Sequence, residues 1–264
     1  MTNQKKTPVT LCFSGHDPSG GAGLQADIEA ITAHGGHACT IVTALTTQDT
    51  RNIQHCEPVS ADKLIQQAHT LLDDINIAAI KIGLLGSLEI IEAIAGILQE
   101  IETIPVILDP VLRAGGGTSI SDQDMCDAIK QQLLPLSHIV TPNSEEARHL
   151  FPAAETLDQC AQEMINAGCP WVLITGGHEP GQHIINTLYN EQGIAEQSTW
   201  DRLAGEYHGS GCTLAASIAS LIAQGMDTVI ASNEAQHYTW ECLNHARRIG
   251  QGQGIPNRLF WAQE

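Results

Sequence analysis

The sequence predicts an α/β fold: a three-layer α/β/α sandwich with a mostly parallel central sheet and a short antiparallel hairpin. Three observations predict it. Short apolar runs alternate with longer amphipathic ones from end to end of the 264-residue chain. Six apolar runs end in polar or glycine-rich clusters, as expected where strand carboxyl ends carry ligand-binding loops. No Pro- or Ser-rich linker interrupts the alternation, so residues 1–264 read as a single domain with enough length for a substantial core.

The elements follow in order. VTLCFSG (9–15) reads as a buried strand. AGLQADIEAITAH (22–34) carries Leu24, Ile28 and Ile31 at helical spacing, and Gly35-Gly36 stops it. ACTIVTAL (38–45) is β-branched and strand-like. ADKLIQQAHTLLDD (61–74) is helical and IAAIKIGLL (77–85) is a strand. SLEIIEAIAGILQEI (87–101) is a helix with Ser87 as N-cap. PVILDPV (105–111) is a strand, SDQDMCDAIKQQLL (121–134) a helix, and SHIVTPN (137–143) a strand. Asn143 caps SEEARHLF. TLDQCAQEMINAG (156–168) is a helix and PWVLITGG (170–177) a strand. Residues 183–200 read as the antiparallel hairpin, turning at Glu191-Gln192-Gly193. Two helices close the chain, at 212–225 and 228–250.

Twelve Lys+Arg against thirty Asp+Glu give a formal net charge of −18. Such a chain is a poor partner for nucleic acid or an anionic membrane, because phosphate contacts need clustered Lys and Arg. Phosphate must instead be held locally, by backbone amides, helix N-termini or a metal ion. The eight cysteines form no C-x-x-C pair. With no secretory signal and no run of about eighteen apolar residues, the expectation is a reduced, cytoplasmic protein with free thiols. HGGHAC (34–39) has metal-ligand residue types, but its Gly-Gly punctuation reads as a helix stop followed by a strand.

Four motifs carry chemistry. SGHDPSGGAG (14–23) lacks the lysine of a P-loop, yet a Gly-rich turn entering a helix offers free N–H groups to a polar ligand. The same glycines also serve a turn that only needs positive φ, and both readings stay open. LDPV (108–111) puts Asp109 at a strand end. In NSEE, Asn143 and Glu146 share one face of a first helical turn. They form either a capping box or, beside Asp109, part of a hard-cation site. GSGCTL (209–214) opens an apolar helix, so the amides of Ser210, Gly211 and Cys212 point to one place suited to an anion. There Cys212 is either a small packed residue or a thiol with a lowered pKa.

Taken in order, GHDPSGGAGLQAD, TALTTQDT, KIGLLG, VILDPV, TPNSEEA, ITGGH and HGSGCTL resemble the motif series of the hydroxymethylpyrimidine/phosphomethylpyrimidine kinases, within the ribokinase-like superfamily. The resemblance runs from about residue 9 to about residue 250. It implies a ribokinase-like fold, a homodimer, and ATP- and Mg²⁺-dependent phosphorylation of 4-amino-5-hydroxymethyl-2-methylpyrimidine and then its monophosphate, in thiamine biosynthesis. It also implies site roles. Gly15, Asp27 and Gln48 would hydrogen-bond the pyrimidine, and Leu84 would pack on its ring. Asp109, Asn143 and Glu146 would organise Mg²⁺ and the ATP phosphates, with Asp109 and Glu146 as the metal carboxylates. Gly209, Ser210, Gly211 and Cys212 would form the anion hole, and Cys212 would accept the substrate hydroxyl proton.

The ATP side departs from the pattern. Relatives carry Lys in ITGGH where this chain has Thr175, ahead of Gly176 and Gly177. Glu206-Tyr207 stands where Asn-Thr is usual, and His16 where Ser or Thr is usual. Arg113, in the loop after Asp109, is the candidate replacement cation. Two other functions fit the same residues: a pyridoxal kinase of the same superfamily, and a pyrimidine-binding protein weakened in catalysis, for which Thr175 speaks.

Overall fold

The computed structural model describes residues 7–101, 103–112 and 121–263. Its strands are β1 (Val9–His16), β2 (His37–Gln48), β3 (Ile53–Pro58), β4 (Ala79–Ile82), β5 (Val106–Leu108), β6 (Ile139–Val140), β7 (Trp171–Ile174), β8 (His183–Asn190) and β9 (Gly193–Asp201). Its α-helices are α1 (Gly23–Ala33), α2 (Ala61–Asp74), α3 (Leu88–Glu100), α4 (Gln123–Ala128), α5 (Ser144–Leu150), α6 (Leu157–Asn166), α7 (Ser210–Ala223) and α8 (Thr228–Asn244). The strands form one sheet in the order β3-β2-β1-β4-β5-β6-β7-β8-β9. From β2 to β7 all pairings are parallel; β3, β8 and β9 join antiparallel.

Side-chain alternation along the central strands builds a core on each face. Leu11 and Phe13 of β1, Ile80 and Ile82 of β4, and Val106 and Leu108 of β5 pack with residues of α2, α3 and α6. The residues between them turn the other way. Ala79, Ile107, Ile139 and Leu173 pack on α7 and α8, and Cys12 packs with Ala30 and Ile31 of α1. This is the expected three-layer arrangement.

The structure departs from the sequence expectations in three places. Strand β3 was not expected: its residues are mostly exposed, and it pairs only with β2, so it carries no apolar pattern. The helix expected over 121–134 is α4, continued by a π-helical turn at Ile129–Leu133 and a 3₁₀ turn at Leu134–Leu136. The last helix stops at Asn244 rather than 250, because Arg247 exchanges backbone hydrogen bonds with Ile255 and the chain doubles back. Among the described residues, no helix is long and apolar enough to cross a membrane.

Strand β1 lies between β2 and β4, so the chain order reverses there. In open parallel sheets the crevice at the carboxyl ends of such strands takes the ligand.

Candidate active site

The loop after β1 enters α1 without a side-chain N-cap, and α7 likewise begins at Gly209 with none. Helix α7 makes its first internal bond from the Thr213 amide to the Gly209 carbonyl, so the helix ladder leaves the amides of Ser210, Gly211 and Cys212 unused. The Gly23 N–H, at the start of α1, lies close enough to the Cys212 sulfur to favour its thiolate form. Two positive helix ends therefore converge on this half-buried cysteine.

The thiol does not gain the thiolate character expected of a helix N-terminus. Burial pushes its pKa up to about 11; Lys81 opposes this, while the charges of Asp109 and Asp27 add to it. Burial under the fold, invisible to local sequence reasoning, reverses the sign, and the carboxylates of Asp109 and of Asp27 in α1 add to it. The Cys212 thiol in this state lowers the pKa of the neighbouring Asp109 carboxylate.

Asp109 is buried at the end of β5, and its Oδ2 has no hydrogen-bond partner. A Cβ on Gly211 would lie 3.7 and 3.8 Å from its two oxygens, so the carboxylate sits against the first turn of α7. Burial raises its pKa to about 6 despite Lys81. Glu146 is pushed to about 8 by burial and by Asp109. The capping box is present: Asn143 Oδ1 accepts the Glu145 and Glu146 amides at 2.9 Å each, and Glu146 Oε2 accepts the Asn143 amide at 3.0 Å. Capping thus occupies part of the pair, while Asp109 and Glu146 are both buried and the charge of Asp109 acts on Glu146. No group of three or more His, Cys, Asp or Glu suited to a metal occurs among the described residues. One orphaned carboxylate oxygen beside a second carboxyl fits Mg²⁺, which takes one or two carboxylates and completes its shell with water and phosphate.

The pyrimidine-side residues gather at β1, β2 and β4. Gly15 packs against Leu84, whose Cδ2 lies 2.6 Å from where a Gly15 Cβ would stand. Thr43 Oγ1 donates to the Leu84 carbonyl. Gln48 Nε2 donates to Thr46 Oγ1 at 2.8 Å, which fixes the amide at the end of β2. Asp27 is fully buried and paired with Lys81 at 2.8 Å, with its Oδ2 unpartnered. Burial works against the Lys81 ammonium, but Asp27, Cys212 and Asp109 together hold its pKa above the ordinary lysine value.

Two long-range straps tie the glycine-rich loops together, and neither was anticipated from sequence. Asp17 accepts from Ser19 N, Ser19 Oγ, Ala22 N and His208 Nε2, all at 2.7–2.8 Å. Arg258, 1% exposed, donates to Thr213 Oγ1 of α7, to Glu29 of α1 and to the Gly21 carbonyl. Asp17→Ala is expected to cost about 3–5 kcal/mol at neutral pH, because it strips a buried network of its acceptor. Burial raises the Asp17 pKa, but the bonds from His208 and Ser19 outweigh this and hold it below the ordinary 3.8. Its contribution is therefore complete above that value and fades as pH falls through the depressed folded-state pKa. Urea melts at neutral and strongly acidic pH check this: the gap between wild type and variant should shrink in acid.

On the opposite side, Thr175 continues the parallel ladder past β7: its amide donates to Pro142 and its carbonyl accepts from Ser144. The Asn143 and Gly177 loops thereby lie side by side. The Gly176 amide donates to buried Asn186 at 3.0 Å, and Arg202 binds the carbonyls of Gly177, Glu179 and Gly181. Arg113 lies outside the described residues.

Residues 17–257 match the phosphomethylpyrimidine kinase family. The hydroxymethylpyrimidine/phosphomethylpyrimidine kinase of Synechococcus elongatus is 34% identical over 252 residues, 94% of this chain and 95% of that protein. The protein of the same name from Escherichia coli is 32% identical over 251 residues, covering 93% and 94%. Among solved structures, the pyridoxal kinase of Bacillus subtilis in an ADP complex superposes with a TM-score of 0.90 at 27% identity, covering 98% of this chain and 100% of that one. The phosphomethylpyrimidine kinase of Clostridium difficile gives 0.77 at 28% identity, covering 89% and 98%. The layout is the ribokinase-like one these structures share, and the full-length likeness in sequence gives the lineage: this chain is a kinase and belongs to the phosphomethylpyrimidine kinase family.

Proposed function

We propose that the protein uses ATP to phosphorylate 4-amino-5-hydroxymethyl-2-methylpyrimidine, and then its monophosphate, in thiamine biosynthesis. The observation that carries this reading is the packing of the loop after β1 against the uncapped first turn of α7, where a Cβ on Gly209 would meet the Gly21 carbonyl, at the carboxyl ends of the central strands. Gly15, Leu84, Gln48 and Asp27 hold the ring, and an amide such as Gln48 offers both donor and acceptor to an aminopyrimidine. The amides of Gly209 to Cys212 stabilise the transferred phosphoryl group. Cys212 takes the hydroxyl proton. Asn143, Glu146, Thr175 and Gly177 border the ATP phosphates, with Arg113 as the added cation. Asp109 and Glu146 would hold Mg²⁺, which supplies charge neutralisation at the phosphates when bound. An ADP complex of a structural neighbour supports nucleotide use. A homodimer and a cytoplasmic location complete the proposal, on the family resemblance.

The second reading, a pyridoxal kinase, draws on the pyridoxal kinase neighbours, whose TM-scores reach 0.90. Competition separates the two. With both substrates present at equal concentration, the aminopyrimidine should be consumed first. Faster consumption of pyridoxal would replace the first reading by the second. Tight pyrimidine binding without turnover would indicate the catalytically weakened form.

A further inference from the structure

We propose that Lys81 is a positioning residue for substrate selection: its ammonium holds Asp27 as a fixed anion whose second oxygen is left to accept an N–H from the pyrimidine. This rests on the pyrimidine reading above and adds a residue and a selection rule to it.

The placement of Lys81 breaks the pattern of its strand. In β4, Ile80 and Ile82 face the α2–α3 core and Ala79 faces α7. By alternation Lys81 points with Ala79 into the α7 layer, and it is fully buried there. An apolar side chain at such a position would generally serve stability as well or better, since a buried ion pair rarely gains over a packed apolar pair. The backbone accommodates this head group. A Cβ on Gly83 would stand 2.6 Å from Lys81 Nζ and 2.7 Å from Ser14 Oγ, so the strand end is bare where the ammonium curls back.

The ammonium is locked between two partners: Ser14 Oγ at 2.9 Å and Asp27 Oδ1 at 2.8 Å, all three residues being fully buried. Ser14 and Lys81 flank the point where strand order reverses, between β1 and β4. Gly15 follows Ser14 directly, and Leu84 follows Gly83, so the pair adjoins the ring-side residues. The remaining atom is Asp27 Oδ2, buried and without a hydrogen-bond partner. Buried polar atoms are rarely left so unless something else supplies the bond.

A carboxylate only accepts. Paired with Lys81 through Oδ1, Asp27 offers Oδ2 to a ligand that presents N–H, such as a 4-amino group. It disfavours one that presents a carbonyl oxygen at the same place. Sites built around one such bond discriminate by as much as about 10⁴-fold. Removing the ammonium leaves Asp27 buried without countercharge. Its carboxylate then loses the partner that fixes which way its free oxygen points.

The test compares the 4-amino substrate with 5-hydroxymethyl-2-methylpyrimidin-4-one, its 4-oxo analogue, in wild type and Lys81→Met. Wild type should prefer the amino compound by about 10³-fold or more in kcat/KM. In Lys81→Met that preference should fall by at least about 10²-fold, chiefly through KM for the pyrimidine, with KM for ATP nearly unchanged. A merely structural lysine would not change which substrate is preferred. Should Lys81→Met not fold, Lys81→Gln, which keeps Asp27 and a polar head group but no charge, replaces it, with thermal unfolding as the check, and the preference should fall there too. A folded variant that keeps the wild-type preference overturns the role of Lys81. Wild type that fails to phosphorylate the amino compound overturns the pyrimidine reading and this inference with it.

Discussion

Cys212→Ala is expected to lose about 10²-fold or more in turnover while pyrimidine binding changes little. The sulfur sits on the first turn of α7, near the Gly23 amide and near the buried Asp109 carboxylate, with which it interacts electrostatically. That places it where two helix ends and a buried carboxyl meet, and a packing role needs none of those partners. Its pKa of about 11 means that the ligand-free site holds a thiol. The two carboxylates that raise it, Asp109 and Asp27, are also the groups whose charge a bound cation or substrate would offset. Steady-state kinetics and pyrimidine titration of the variant measure both quantities. Near-normal turnover with normal binding would return Cys212 to a packing role.

Gly209→Ala should be at least as damaging. Gly209 has φ of +90°, a region that costs a non-glycine residue about 1–3 kcal/mol. The added Cβ would also lie 1.9 Å from the Gly21 carbonyl oxygen. That oxygen cannot simply withdraw, because Arg258 binds it while also holding Thr213, and the Arg258 Nη2 itself lies 3.0 Å from the added Cβ. Relief must therefore come from moving the start of α7, and with it the amides of residues 210–212. Misplacing such donors typically costs about 10²–10³-fold in kcat. Thermal unfolding and kcat of the variant should fall together; a variant with wild-type kcat would show that these amides do not serve the transfer.

Sequence and structure agree most where the signal is local. The apolar periods of β1, β4 and β5 and the glycine-rich loops at their ends could be read directly, because burial on both faces leaves unbroken apolar runs. Strand β3 could not: a polar edge strand has one neighbour and no apolar face to advertise. The site was legible as a set of loops but not as a charge network. Lys81 reaches Asp27 across 54 residues of chain, and His208 reaches Asp17 across 191. Lysine inside IAAIKIGLL was the available signal, since a cation amid an apolar run must find a buried partner. The state of Cys212 was not legible for the same reason: the helix end is local, whereas the burial that raises its pKa, with Asp109 and Asp27 adding to it, comes from the fold. Asn143 and Glu146 answered the question posed by their spacing in a mixed way, forming the capping box while keeping Glu146 beside Asp109.

The central claim is that one site reads an aminopyrimidine and transfers phosphoryl groups to it twice. Its most direct test is a mass-resolved time course of the purified protein with ATP, Mg²⁺ and 4-amino-5-hydroxymethyl-2-methylpyrimidine. The account predicts that the monophosphate rises first and the diphosphate follows at its expense. Absence of any phosphorylated pyrimidine at micromolar enzyme would contradict it.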